Sequence, residues 1–185
     1  MKEVAVFLAE GFEEVEAITP IDFLRRANVN VTTVGLGTHE ILGSHGIKVI
    51  ADEIFSNDIK NKMFDCLVLP GGKLGSDNLS NNNDLLEMIE DHNKAGKIIS
   101  AICAAPGVVL SKTSVLNGKK ATCYPGFEKF FMENTTFCAD RVVTDNNLIT
   151  SRGAGTAAEF AIELIKVLVN TETALEIKSQ TIQNF

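Results

Sequence analysis

Cys103 is the residue in this chain best placed for covalent chemistry. It lies in Ser100-Ala101-Ile102-Cys103-Ala104-Ala105-Pro106-Gly107. The apolar run from Lys97 to Ile102 reads as a buried strand, and Ala104 to Ser111 as a helix. A thiol between them stands at a strand-to-helix elbow, at the open end of a sheet. Unsatisfied N–H groups and the positive end of a helix both favour thiolate over thiol there. A thiolate attacks electrophilic carbon and is also the form that oxidises first.

Gly71-Gly72 follows the strand-like Phe64 to Pro70. Glycines at a strand end allow a tight turn and expose N–H groups. With the N–H of Ala104 they form a candidate oxyanion cradle, although a plain turn explains them equally well. A thiolate also needs a partner that poises it. Glu13, Glu14 and Glu16 open the first helical pattern, where acids are favoured anyway. Glu16 shares a stripe with Phe12, Thr19 and Phe23, so its spacing turns it inward where Glu13 and Glu14 need not turn. A carboxyl in apolar surroundings has a raised pKa and donates a hydrogen bond near neutrality. Pro20 cannot donate to the Glu16 carbonyl and is expected to bend the helix there.

Other chemistries find no support. Cys66, Cys123 and Cys138 form no Cys-x-x-Cys pair and have no histidine at metal-ligand spacing, so they read as free structural thiols and no metal site is expected. A phosphatase loop needs arginine six residues past its cysteine, where this chain has Val109. No Gly-x-Gly-x-x-Gly opens a dinucleotide site and no hydroxyl-rich phosphate loop follows the first strand, so no cofactor is expected. His39, His45 and His92 fall in turn-like or polar stretches and read mostly as solvated.

These residues need a frame. Strand patterns at Val4–Ala9, Val29–Leu36, Phe64–Pro70 and Lys97–Ile102 alternate with helical patterns at Glu13–Ala27, Asn83–Ala95 and Thr156–Val169. Ile41-Leu42 and Ile47–Ile50 read as a hairpin, Ala121–Tyr124 as a short strand, Arg141–Thr144 with Leu148–Thr150 as a closing pair, and Thr171–Gln183 as a last helix. The alternation predicts a mostly parallel sheet with helices on both faces and ligands at the strands' carboxyl ends. At 185 residues, with 45% hydrophobic and 22% charged side chains, one globular domain over 1–185 is expected. A net charge of −7 without a basic patch argues against nucleic acid. No apolar run suggests a leader or a membrane span, so a cytoplasmic location is expected.

Taken together, Ala9-Glu10-Gly11-Phe12-Glu13-Glu14-Val15-Glu16, Pro20-Ile21-Asp22, Leu69-Pro70-Gly71-Gly72, Ala101-Ile102-Cys103-Ala104-Ala105-Pro106 and Thr150-Ser151-Arg152-Gly153-Ala154-Gly155-Thr156 resemble the ThiJ/PfpI superfamily. The resemblance is to the branch of the Parkinsonism-associated protein deglycase and bacterial YajL, over essentially the whole chain. It implies a flavodoxin-like three-layer sandwich and a homodimer. It implies Cys103 as the reactive cysteine and Glu16 as its protonated partner, with the N–H groups of Gly72 and Ala104 facing the sulfur. Ser151-Arg152-Gly153 matches a segment near the site and the dimer interface, where Arg152 could help bind anions. The substrates implied are small dicarbonyls, or proteins and nucleotides they have glycated. The alternative is a redox sensor or redox-regulated chaperone acting through oxidation of Cys103. Two departures stand out. Tyr124 occupies a position where many relatives carry histidine, and a phenol is a poor base at pH 7. His45 stands where relatives often carry arginine. Ala104 occupies the place of the histidine that the peptidase branch uses, which disfavours peptidase activity.

Overall fold

A computed structural model describes residues 1–185. In chain order its elements are β1 (Glu3–Leu8), α1 (Glu14–Arg26), β2 (Asn30–Gly35), β3 (Glu40–Leu42), β4 (Lys48–Ile50), β5 (Glu53–Ile54), α2 (Asn57–Lys60), β6 (Cys66–Leu69), α3 (Lys73–Ser80), α4 (Asn83–Lys94), β7 (Ile98–Ile102), α5 (Ala105–Val108), β8 (Lys120–Ala121), β9 (Thr136–Phe137), β10 (Val142–Asp145), β11 (Leu148–Ser151), α6 (Ala157–Leu168) and α7 (Thr171–Gln180).

Seven strands make one sheet in the order β10-β11-β7-β6-β1-β2-β5. All neighbours are parallel except β10 and β11. A parallel sheet is covered on both faces, so its strands are apolar on both sides. Along β1, Val4, Val6 and Leu8 enter the core under α1, α6 and α7, while Ala5 and Phe7 enter the core on the opposite face with Leu85, Met88 and Ile89 of α4. The two cores are the two interfaces of a three-layer α/β/α sandwich, as the alternation predicted.

From β1 the chain crosses to β2 on one side, and later to β6 on the other. The strand order therefore reverses between β1 and β6, and a crevice opens beyond their carboxyl ends. The segments after β1, β6, β7 and β11 all emerge at that edge.

Several local differences have physical causes. Helix α3 has no counterpart in the hydrophobic pattern, because Lys-Leu-Gly-Ser-Asp-Asn-Leu-Ser is short, polar and weak in propensity. Its Gly75 packs on the backbone of Phe12, where a Cβ would lie 2.7 Å from the Phe12 Cα. The expected Ala104–Ser111 helix is one α turn followed by a 3₁₀ turn at Leu110–Lys112. Gly107 is pressed against Phe127, whose carbonyl oxygen would be 2.6 Å from a Cβ. Helix α1 runs from Glu14 to Arg26 with Pro20 inside it. In α4, Met88 is fully buried and Leu86 only partly, so the inward stripe is Leu85, Met88 and Ile89. His92, expected in solvent, is buried. Its Nδ1 donates to the Met88 carbonyl at 2.8 Å and its Nε2 accepts the Phe64 N–H at 3.0 Å. Both ring positions are used by a neutral imidazole, and burial pushes its pKa down.

Candidate functional site

Four strand ends build the site. Beyond β1, the Gly11–Glu13 backbone leads into α1. Beyond β6 come Gly71 and Gly72, beyond β7 comes Cys103, and beyond β11 come Arg152 and Gly153. The first two segments are laced together. The Glu13 N–H donates to the Gly71 carbonyl at 3.0 Å and the Gly75 N–H to the Gly11 carbonyl at 3.1 Å. Gly72 has φ +86°, and a Cβ there would sit 2.3 Å from the Gly11 oxygen, so only glycine permits this contact.

Cys103 has φ +64°, a left-handed conformation costing an ordinary residue about 1–3 kcal/mol. Neighbours hold it there. Its N–H donates to the Ser151 carbonyl at 2.9 Å, and its carbonyl accepts the Tyr124 N–H at 2.8 Å. The turn lifts the thiol off the end of β7 and leaves it partly exposed. The N–H groups of Gly72 and Ala104 lie close enough to the sulfur to favour its negative form. With α5 only one turn long, these two N–H groups, rather than an extended helix dipole, are what the backbone offers a negative sulfur.

Glu16 meets the sulfur from α1. Its side chain is 1% exposed, its Oε2 accepts the Gly71 N–H at 3.0 Å, and the carboxyl also meets Cys103 and the Ala154 N–H. Burial pushes its pKa up to about 7, the contact with Cys103 and the two N–H groups pull it down, and the nearby charge of Glu13 raises it. Burial, and then a charge on Glu16, push the Cys103 thiol up, while the N–H groups of Gly72 and Ala104 pull it down. The net effect holds the thiol up at about 12, so a charge on Glu16 opposes a thiolate on Cys103, and the sulfur ionises more readily while Glu16 holds its proton. Gly71 makes the fit possible, since a Cβ there would lie 2.4 Å from Glu16 Oε2 and 2.6 Å from the Cys103 Cβ.

The other residues singled out in the sequence divide. Tyr124 is at the site, its ring against Gly153 on the side facing Glu16. Arg152 turns its guanidinium away, onto the Ala139 carbonyl at 2.9 Å. His45 stands on the β3–β4 turn and pairs with Glu14, not with Cys103. Its Nδ1 is 2.9 Å from Glu14 Oε2 and 3.6 Å from Glu13 Oε2. Glu14, which spacing did not turn inward, is buried and accepts four hydrogen bonds, from Ser44, the His45 backbone, the His45 ring and Ile47. Burial pushes its pKa up, but the His45 ring and the N–H groups of Glu14, His45 and Ile47 outweigh it and hold it at about 2. These acids raise the pKa of His45 in turn, chiefly through its hydrogen bond to Glu14. Glu13, Glu14 and His45 place three ligand-type atoms within 4.8 Å of one another, but protein donors already occupy the Glu14 carboxylate. Cys66 and Cys123 are buried and Cys138 is partly exposed, and all four cysteines are unpaired.

A parallel α/β sandwich with a strained cysteine directly after strand β7, and a buried acid on that cysteine, defines a class of cysteine-elbow proteins. Residues 2–167 match the model of the DJ-1/PfpI family, and the chain belongs to that family. It is 39% identical over 178 residues to protein dj-1beta of Drosophila melanogaster, covering 95% of this chain and 94% of the fly protein. It is 34% identical over 164 residues to a Caenorhabditis elegans protein named glutathione-independent glyoxalase DJR-1.2, covering 88% of this chain and 86% of the worm protein. The chain spans less than half the length of the two Arabidopsis thaliana relatives, DJ-1 homologs A and B, at 46% and 40% of each. The solved structure of oxidized Toxoplasma gondii DJ-1 superimposes with a TM-score of 0.95 at 36% identity, covering both chains completely.

Proposed function

We propose that this protein is a cysteine-dependent glyoxalase that converts methylglyoxal and glyoxal to 2-hydroxy acids, with deglycation of early dicarbonyl adducts on proteins or nucleotides as an extension. The observation that carries this reading is a wholly buried carboxyl, titrating near neutral pH, against a partly exposed thiol that faces two N–H groups. In the reactive form Glu16 holds its proton, which removes the charge that opposes a Cys103 thiolate, and the sulfur, faced by the Gly72 and Ala104 N–H groups, is the nucleophile.

The Cys103 thiolate adds to the aldehyde carbon, forming a C–S bond. The carbonyl oxygen becomes an alkoxide, cradled by the Gly72 and Ala104 N–H groups, and takes the proton of Glu16. The Glu16 carboxylate then removes the hydrogen on that carbon as a proton, giving an enediolate, and returns it to the neighbouring carbon while the hydroxyl proton passes from the first oxygen to the second. The first carbon is oxidised as the second is reduced, so no external electron acceptor enters. Water cleaves the resulting 2-hydroxy thioester, releasing lactate from methylglyoxal and restoring the thiol. The relative named a glutathione-independent glyoxalase supports this reading. The test is lactate formation from methylglyoxal without glutathione or added metal, in wild type and Cys103→Ser. Many turnovers, abolished by serine, are expected, and at most one equivalent consumed per chain would overturn the reading.

A second reading, an oxidation sensor or redox-regulated chaperone, is favoured by the partial exposure of Cys103 beside an acid able to donate to an oxidised sulfur. Stoichiometric conversion of Cys103 by peroxide without dicarbonyl turnover would support it.

A homodimer fits the surface. Val15 and Ile18 of α1 lie exposed, as do Leu42, Ile47 and Ile50 of the β3–β4 hairpin, apolar side chains that a second copy would cover. Ile18→Glu is expected to give a monomer by light scattering. Unpaired cysteines fit the reducing cytoplasm as the location. No helix is long and apolar enough to cross a membrane.

A further inference from the structure

Tyr124 has a structural role of its own at the site. Tyr124 is 49% exposed, and its N–H donates to the Cys103 carbonyl, which ties it one hydrogen bond from the reactive residue. Its ring lies over Gly153. A methyl built on Gly153 would be 3.3 Å from Tyr124 Cδ2 and 3.8 Å from Glu16 Oε1. The bare face of Gly153 is therefore the floor between the ring and the acid. Phe127 meets the Tyr124 ring edge-on from elsewhere, with centroids 6.2 Å apart at 78°, and the Phe127 N–H donates to the Tyr124 carbonyl at 3.0 Å. Phe130 follows at 5.9 Å from Phe127 and is 48% exposed. An aromatic surface thus begins beside the carboxyl and leads outward, with one ring fixed and half open.

We propose that Tyr124, seated on Gly153, determines substrate specificity by stacking on a planar apolar substituent, and that the site prefers 2-oxoaldehydes carrying an aryl group over those carrying a methyl group. This rests on the glyoxalase reading above. An aldehyde carbon bonded to Cys103 has its second carbonyl and substituent beyond it, and the half-exposed Tyr124 ring lies across Gly153 from the acid. Offset stacking of two rings adds selectivity beyond area burial, about 3- to 10-fold in affinity. A methyl group offers the ring little to stack on. Gly153 sets the room available, and its backbone is extended, so alanine at this position adds only a methyl to the gap between ring and acid.

The experiment is the ratio of initial kcat/KM for phenylglyoxal to that for methylglyoxal in wild type, Tyr124→Phe, Tyr124→Ala and Gly153→Ala. The ratio is expected to fall about 3- to 10-fold in Tyr124→Ala and to be kept by phenylalanine, since the ring and not the hydroxyl does the stacking. Gly153→Ala is expected to lower it as well, because the added methyl intrudes between ring and acid. An unchanged ratio in Tyr124→Ala would overturn the proposal. If wild type turns over neither aldehyde, the glyoxalase reading fails, and the specificity inference is read separately from protection of Cys103 against iodoacetamide by each aldehyde. Stronger protection by phenylglyoxal that Tyr124→Ala abolishes would sustain it, and equal loss for both aldehydes would end it.

Discussion

Replacing Glu16 by glutamine keeps the shape of the side chain and removes its proton exchange. In the unfolded chain this carboxyl titrates near its model value of 4.5, and in the folded protein burial pushes it up to about 7. Below pH 4.5 both states are protonated and the acid adds no pH dependence. As the pH rises, the unfolded chain releases its proton first and the native state holds it, so folding becomes less favourable until the native carboxyl ionises too. Each pH unit in that window is worth about 1.4 kcal/mol, so wild type should lose about 3 kcal/mol between pH 4.5 and 7.5 through this one group. Glutamine retains an oxygen for the Gly71 N–H and has no such loss. Urea unfolding of both proteins across that range isolates the effect, because Glu14, His45 and His92 are common to both and their contributions cancel in the difference. The glutamine variant should gain on wild type steadily through the window. A difference that stays flat within about 0.5 kcal/mol would mean that Glu16 ionises normally in the fold, and the proton relay built on it would go too.

Glu16→Leu removes both the proton donor and the charge beside the sulfur and is expected to shift the Cys103 thiolate titration and to slow turnover and peroxide oxidation, and an unchanged thiolate absorbance titration would take Glu16 out of the mechanism. Gly71→Ala puts a methyl against Glu16 Oε2 and the Cys103 Cβ, and should lower kcat/KM by about 100-fold while circular dichroism stays native. His45→Ala deprives Glu14 of its ring donor. The depressed pKa of Glu14 confers stability that is present above pH 4.5 and lost as the pH falls through about 2, so the variant's acid-unfolding midpoint should move to higher pH. His92→Leu leaves the Phe64 N–H buried without a partner and should cost about 1–3 kcal/mol in urea unfolding at pH 7.5.

Much of the fold was legible because parallel sheets demand strands apolar on both faces, separated by helices long enough to cross back. The runs containing Val4–Leu8, Cys66–Leu69 and Ile98–Ile102 meet that demand without reference to anything distant. Cys103 was legible for the same reason, since the strand-to-helix change around it is local. Glu16 stood out by its stripe with Phe12, Thr19 and Phe23, and the resemblance to a family named its partner. The sequence by itself thus determined the layers, the elbow and the set of candidate acids. Tertiary structure alone decided the rest. Glu14 is buried because the β3–β4 turn folds over it with His45, and His92 is buried because Phe64, distant in sequence, supplies a donor to its ring. The Arg152 guanidinium faces the Ala139 carbonyl because the β9–β10 segment passes beside it. The seat of Tyr124 on Gly153 joins residues from two segments whose spacing carries no periodic signal. Hydrophobic periodicity records which face of an element is covered, whereas hydrogen-bond partners and open space at a site depend on which loops arrive there.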